Sequence, residues 1–201
     1  MCSNATLFIN AQVFDGSGRA PFAGEILVRG NSIAAVADAA SPLERTGAEI
    51  IDCAGATVMP GLVESHAHLS WPSSVGRVID TMSLPAEEHL LVTARNARVT
   101  LDAGYTSAYS AGSLGPRFEI ALRDEIDAGW LPGPRLRVSS LERLPDGALG
   151  LKADPNVEHP RGPAAVRAYV KAMAHERVDS IKFLLSSDDA FEPGGSQTLT
   201  Y

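Results

Sequence analysis

Over the first fifty-odd residues, apolar positions fall in short runs with β-type spacing, at residues 6–9, 11–14, 25–28, 32–36 and 49–51. Asp15-Gly16-Ser17-Gly18 and Gly30-Asn31 separate them with residues that tolerate the positive φ of tight turns. This pattern predicts a small antiparallel β unit. From about residue 58 the rhythm becomes strand, loop, helix, repeated. Pro85 and the acidic pair Glu87 and Glu88 mark a helix start, Leu90, Leu91, Ala94, Ala97 and Leu101 follow at helical spacing, and Gly104 stops the segment. A second helix is predicted from Phe118, Ala121, Leu122 and Ile126, ending at Gly129. A third is predicted from Val166, Tyr169, Val170 and Met173 behind a Gly162-Pro163 start. Between them, residues 58–64, 106–110, 135–139 and 180–185 suit buried strands. Four strands alternating with helices predict an α/β fold with a parallel sheet and its helices outside.

Composition narrows the function classes. The 201 residues are 45% hydrophobic and 20% charged, with a net charge of -7 and a pI near 5.2. An acidic chain without clustered Lys and Arg is poorly suited to a phosphate backbone, so nucleic acid is not expected as a partner. No apolar stretch has the roughly 18–20 residues that span a bilayer, and the N-terminus MCSNATLF lacks a basic region followed by a long apolar one. A soluble, cytoplasmic chain without a membrane partner is expected. Cys2 and Cys53 have no CxxC spacing and give no disulfide framework.

The candidate chemistry begins in GLVESHAHL, residues 61–69, where His66 and His68 stand one residue apart at the end of an apolar run. Residues i and i+2 of a strand share a face, so two imidazoles there would form half of a metal site. The alternative is a turn with exposed histidines, or histidines satisfied in the core. The pair falls where a strand runs out, which in a parallel βα architecture is the edge where ligands and catalytic groups collect.

Asp52-Cys53-Ala54-Gly55 followed by VMPGLVESHAHL, residues 58–69, resembles the segment of metal-dependent amidohydrolases that leads from their β-sandwich into the first barrel strand. Further similarities follow in order: LDAGYTS at 101–107, GWLPGPR at 129–135 and VDSIKF at 178–183. Within that superfamily the pattern is most similar to the prolidase and imidazolonepropionase-like branch. The resemblance implies a small β-sandwich segment over residues 1–57 and, over 58–201, the first half of a (β/α)₈ TIM-type barrel with about four βα units. It also implies a binuclear centre, with His66 and His68 on one ion and a carboxylated Lys182 on the fourth strand bridging both. Zinc is the default ion, because imidazole and carboxylate-type oxygen suit it, with manganese, cobalt and nickel as alternatives. The implied reaction is hydrolysis of a C–N bond in an amide, cyclic amide or dipeptide-like small molecule through a metal-activated water.

Lys182 has a second reading, as a strand-end lysine whose stem is buried while its charge reaches water. Trp71 and Tyr109, near strand ends, are candidates for lining the substrate pocket, or for packing. Relatives carry two further histidines and an acid/base aspartate on later strands, which would lie beyond Tyr201. The remaining half of a barrel, or an oligomer partner, is therefore expected as a partner, and the isolated chain is expected to be inactive. His89, His159 and His175 are read as exposed or structural. Two departures bear on the substrate: Ala108-Tyr109-Ser110-Ala111 stands where relatives often have Arg-Asp, and Ser186-Ser187-Asp188-Asp189 where a glycine-rich turn is usual. The alternatives are a mononuclear deaminase-type hydrolase and an inactive or purely structural chain.

Overall fold

The computed structural model describes residues 5–71, 84–115, 117–141 and 162–183. The long loop expected over 144–163 falls almost wholly outside the described residues, as do His159, Asp188, Asp189 and the fourth strand beyond residue 183. The chain divides into two compact units between Pro60 and Gly61. Among the described residues no helix is long and apolar enough to cross a membrane.

The first unit is one five-stranded sheet: β1 (Ala5–Val13), β2 (Phe22–Arg29), β3 (Ser32–Asp38), β4 (Glu49–Asp52) and β5 (Thr57–Val58). Its order is β3-β2-β1-β4, with β5 also on β1. The expected antiparallel unit is corrected to a mixed sheet. β1 and β3 run antiparallel to β2, whereas β4 and β5 run parallel to β1. Residues 39–48 carry the chain back across the sheet, a return that local spacing does not encode. No second sheet to complete a sandwich is present among the described residues of this unit.

A bulge in β1 explains its packing. Phe8 pairs with Ile26 and Ala11 with Gly24, so three steps along β1 match two along β2. Asn10 takes the extra turn at φ 53° and ties its side chain to Asp52 at 2.9 Å. The sequence alternates without a break through Leu7, Ile9, Ala11 and Val13, yet the bulge moves the second half to the other face. Leu7 therefore packs with Ala5 and Leu27, and Ala11 and Val13 pack with Ile26.

The second unit holds a parallel sheet in the order β6-β7-β8, built from β6 (Leu62–Ala67), β7 (Tyr105–Ser110) and β8 (Arg135–Arg137). The helices are α1 (Ala86–Asp102), α2 (Phe118–Asp127) and α3 (Gly162–His175). The strand expected at 58–64 is displaced: Val58 pairs with Val13 in the first sheet, and β6 starts after Pro60-Gly61. Proline cannot donate to a ladder, and Gly61 lies so close to Thr106 that a Cβ would overlap its side chain. A fourth run enters beside β8, where Ser180 bridges Ser139 in parallel.

Ala67, Leu69, Ala108, Leu136 and Val138 from the sheet pack against Ala97 of α1 and Ile120 and Leu122 of α2. The helices differ from their apolar stripes. In α1 the buried positions are His89, Thr93, Asn96 and Ala97, while Leu91 is 73% exposed. In α2 they include Glu119 and Arg123, and in α3 none is fully buried. Helical spacing is kept, but the buried face is turned so that polar side chains reach the strand ends. Replacing Leu122 by Ala is expected to cost about 2–5 kcal/mol, because it opens a cavity in the one apolar layer joining sheet and helices. Denaturant unfolding with an unchanged slope would measure it; a loss below about 1 kcal/mol would contradict the packing described.

Candidate functional site

β6 ends in an irregularity that places both histidines. Glu64 pairs with Ala108 and Ala67 with Ser110, so three residues of β6 span two of β7. The peptide N–H of His66 is taken by the Glu64 carboxylate at 3.0 Å. Ala67 and Leu69 enter the core, so the alternating His66 and His68 lie on the other side, the first exposed and the second half-buried. Their ring centroids are 5.2 Å apart in an edge-on arrangement.

His68 is the better-held of the two. Its Nδ1 meets the Gly112 carbonyl at 3.1 Å, which assigns the proton to Nδ1 and leaves Nε2 as a lone-pair donor. Gly112 sits at φ 135°, a conformation that side-chain-bearing residues rarely adopt, and its N–H is held by Ser110 Oγ. Burial pushes the His68 imidazole down from about 6.5 to about 4; the Gly112 carbonyl opposes this, and the charges of Lys182 and His66 add to it. A neutral imidazole is the form that binds a metal.

Lys182 arrives from the other end of the sheet. Asp179 N–H donates to Val138 O at 2.8 Å, Ser140 N–H to Ser180 O at 3.0 Å, and Lys182 N–H to Ser140 Oγ at 3.0 Å. The Asp179 carboxylate accepts from Val138 N–H at 2.8 Å and Arg137 at 2.9 Å, with the buried Arg123 at 3.7 Å. These contacts bring Lys182, half-buried, close enough for its charge to act on His68.

The other two candidates separate. Trp71 stands against His68 with ring centroids 4.9 Å apart, and its buried Nε1–H has no hydrogen-bond partner among the described residues. Tyr109, 41% exposed, lines a cavity of about 660 Å³ with Ser107, Arg135, Arg137 and Asp179. None of His66, His68, Trp71 or Lys182 lines that cavity.

Among the described residues no group of three or more His, Cys, Asp or Glu is gathered for a metal. What stands together is two imidazoles, with a lysine near enough for its charge to act on one of them. They fit part of a metal centre: the donors are nitrogen, one imidazole is held neutral with its proton placed on Nδ1, and the described residues do not by themselves close a tetrahedral site. His89, Asn96 and Glu119 were missed by the sequence reading as residues that bear on this site. All three are buried and bond to residues 69–71. The signal available was polar residues on the face of α1 and α2 that the helical period turns inward.

No protein-family description matches the chain. A solved amidohydrolase shares 24% identity over 98% of this chain and 51% of its own, with a TM-score of 0.77. A solved Xaa-Pro dipeptidase with methionine in its active site shares 24% identity over 92% of this chain and 48% of its own, at 0.76. This chain has the fold of the N-terminal portion of the amidohydrolases. The dihydroorotase of Elusimicrobium minutum is 38% identical over 71 residues, 35% of this chain and 16% of that protein. The chain thus spans about half the length of the solved amidohydrolase-type structures it matches, and less of the dihydroorotase.

Two outcomes check the geometry. In the metal-free protein His68 is expected to stay neutral until about pH 4. Its folded value lies below its unfolded one, so the stability it carries is full above about 6.5 and is lost as pH falls towards 4. Histidine NMR would reveal this, and a midpoint near 6.5 would contradict it. Asp179→Ala should destabilise the protein by about 1–3 kcal/mol by stranding Val138 N–H and removing the Arg137 hydrogen bond, and should weaken whatever Lys182 binds. Thermal unfolding with a metal titration would separate the two effects.

Proposed function

We propose that the protein is a metal-dependent hydrolase of C–N bonds, built on the opening half of a (β/α)₈ barrel. The observation that carries this is the His66–His68 pair at the end of β6, with rings 5.2 Å apart, and Lys182 on the fourth run close enough for its charge to act on His68. The hydrolase neighbours supply the reaction class: an amidohydrolase, an Xaa-Pro dipeptidase and a dihydroorotase. Dipeptides and cyclic amides are therefore the substrate classes to test first.

His66 and His68 would hold one ion, and Lys182 would be shared by two as a carbamate, formed when its ammonium loses a proton and the resulting amine adds carbon dioxide and releases a second proton. Zinc is the first choice for imidazole and carboxylate-type oxygen donors. A divalent pair there supplies Lewis acidity towards a substrate carbonyl and acidifies water. The chain's own contributions are more specific. Gly112 O holds the proton on His68 Nδ1 and keeps the ring facing the site, Ser140 Oγ fixes the Lys182 backbone, and the indole of Trp71 excludes water from one side of His68. Trp71 packs on His68 with its Nε1–H buried, while Tyr109 belongs to the neighbouring cavity. Further ligands and the acid/base aspartate are proposed to come from sequence beyond this chain. A lysine on the fourth run, close enough for its charge to act on His68, favours the two-ion form over a mononuclear deaminase-type hydrolase.

His66→Ala, His68→Ala and Lys182→Ala in the full-length protein should each lower bound metal below the wild-type stoichiometry. Hydrolysis of a responsive dipeptide or cyclic amide should drop by about 10²-fold or more, because ion and activated water are lost together. Elemental analysis with a substrate panel tests this. Full metal content and full rate in the histidine variants would overturn the metal-centre reading, and the same result for Lys182→Ala would remove the bridging role.

A further inference from the structure

Immediately behind the histidine pair, residues 69–71 are tied down by buried polar side chains of two helices. Asn96 Nδ2 donates to Leu69 O at 2.8 Å and Trp71 O at 2.6 Å. His89 Nε2 contacts Ser70 O at 2.5 Å, which requires its proton on Nε2, since a carbonyl only accepts. Glu119 Oε1 accepts from both Ser70 N–H and Ser70 Oγ–H, each at 3.1 Å. Ser70 Oγ in turn accepts from Leu114 N–H at 2.9 Å. Ser70 is fully buried, and Glu119 and His89 are each 1% exposed.

A carboxylate in such a place is costly, since desolvation removes several kcal/mol that only well-aimed hydrogen bonds restore. Glu119 sits in the first turn of α2, where the peptide dipoles favour an anion. An apolar residue would fill this layer at lower cost, as Ile120 and Leu122 do beside it. What Glu119 grips explains the difference. Ser70 lies two residues past His68, and Leu114, its other partner, lies two residues past Gly112. Ser70 thus joins the backbone that carries the imidazole to the loop that carries the imidazole's acceptor.

We infer that Glu119 is a positioning residue of the site: its grip on Ser70 fixes the β6 and β7 loops together, so that His68 keeps its proton on Nδ1 against Gly112 O. This rests on the reading of His68 as a ligand only in its consequence for metal binding; the coupling itself lies within the protein. His89 and Asn96 hold the same three residues from α1, so the loop is clamped from both helices, but only Glu119 reaches the hydroxyl that connects to Leu114.

The test is ¹⁵N NMR of the histidines in the metal-free full-length protein, followed by zinc titration of the same samples. Wild type is expected to have His68 as the Nδ1–H tautomer alone. In Glu119→Ala the tautomers should mix as the ring loses its fixed acceptor, and zinc affinity should fall about 10–100-fold. Ser70→Ala, which keeps the peptide N–H bond to Glu119 but breaks the link to Leu114, should mix the tautomers as well and serves if Glu119→Ala does not fold. A folded variant of either kind with a single Nδ1–H tautomer and wild-type zinc affinity would overturn the inference. If wild type binds no zinc but the tautomer is lost in the variants, the metal-centre reading fails and the positioning role of Glu119 stands.

Discussion

The alternation of side chains at the end of β6 is the constraint on which the site depends. Ala67 and Leu69 are drawn into the apolar layer between the parallel sheet and its helices, and a strand that buries those two must turn His66 and His68 the other way. The irregularity opposite Ala108 and Ser110 sets that phase, and Glu64 stabilises it by accepting the peptide N–H that the ladder leaves over. A slip of one residue would bury the imidazoles and expose the alanine and leucine. The apolar contacts thus hold the chemistry in place without touching it.

From there the structure spends its polar residues on orientation. Gly112, in a backbone conformation suited to glycine, aims a carbonyl at His68. Ser140 replaces a ladder acceptor for Lys182, and Asp179 binds both the backbone and an arginine of β8 at the entry of the fourth strand. Ser140 and Asp179 are side chains standing in for a regular backbone bond where a strand gives out. Such substitutions occur where the ladder has to end at a defined place, and here both ends adjoin the candidate ligands.

The same reasoning accounts for helices that bury polar faces. α1 leaves Leu91 in solvent while hiding His89, Thr93 and Asn96, and α2 hides Glu119 and Arg123. Thr93 satisfies itself on the carbonyl of His89, one turn back, but the others reach outside their own helix, to residues 69–71 and to the carbonyl of Arg177. Helix packing in this unit is a means of bracing loops as well as a means of burying hydrocarbon. An apolar-stripe reading of α1 finds the period and misjudges the face.

By itself the sequence determined the α/β alternation, three helices close to their observed bounds, and the strand positions of β7 and β8, because period-two and period-3.6 patterns and glycine stops are local properties. It also determined that two imidazoles one residue apart would share a side, since that follows from strand geometry alone. Tertiary structure decided the rest. The direction of β4 and β5 against β1 depends on how residues 39–48 return across the sheet. The phase change in β1 depends on Asn10 finding Asp52, forty-two residues away. Whether Val58 belonged to the first sheet or the second depended on which strand was there to accept it, and it pairs with Val13. The separation of Tyr109 from His68, the approach of Lys182 and the clamp of Glu119 on Ser70 are likewise contacts between residues far apart in the chain. No local pattern encodes them, because the energy that fixes each one exists only when the folded chain brings both partners together.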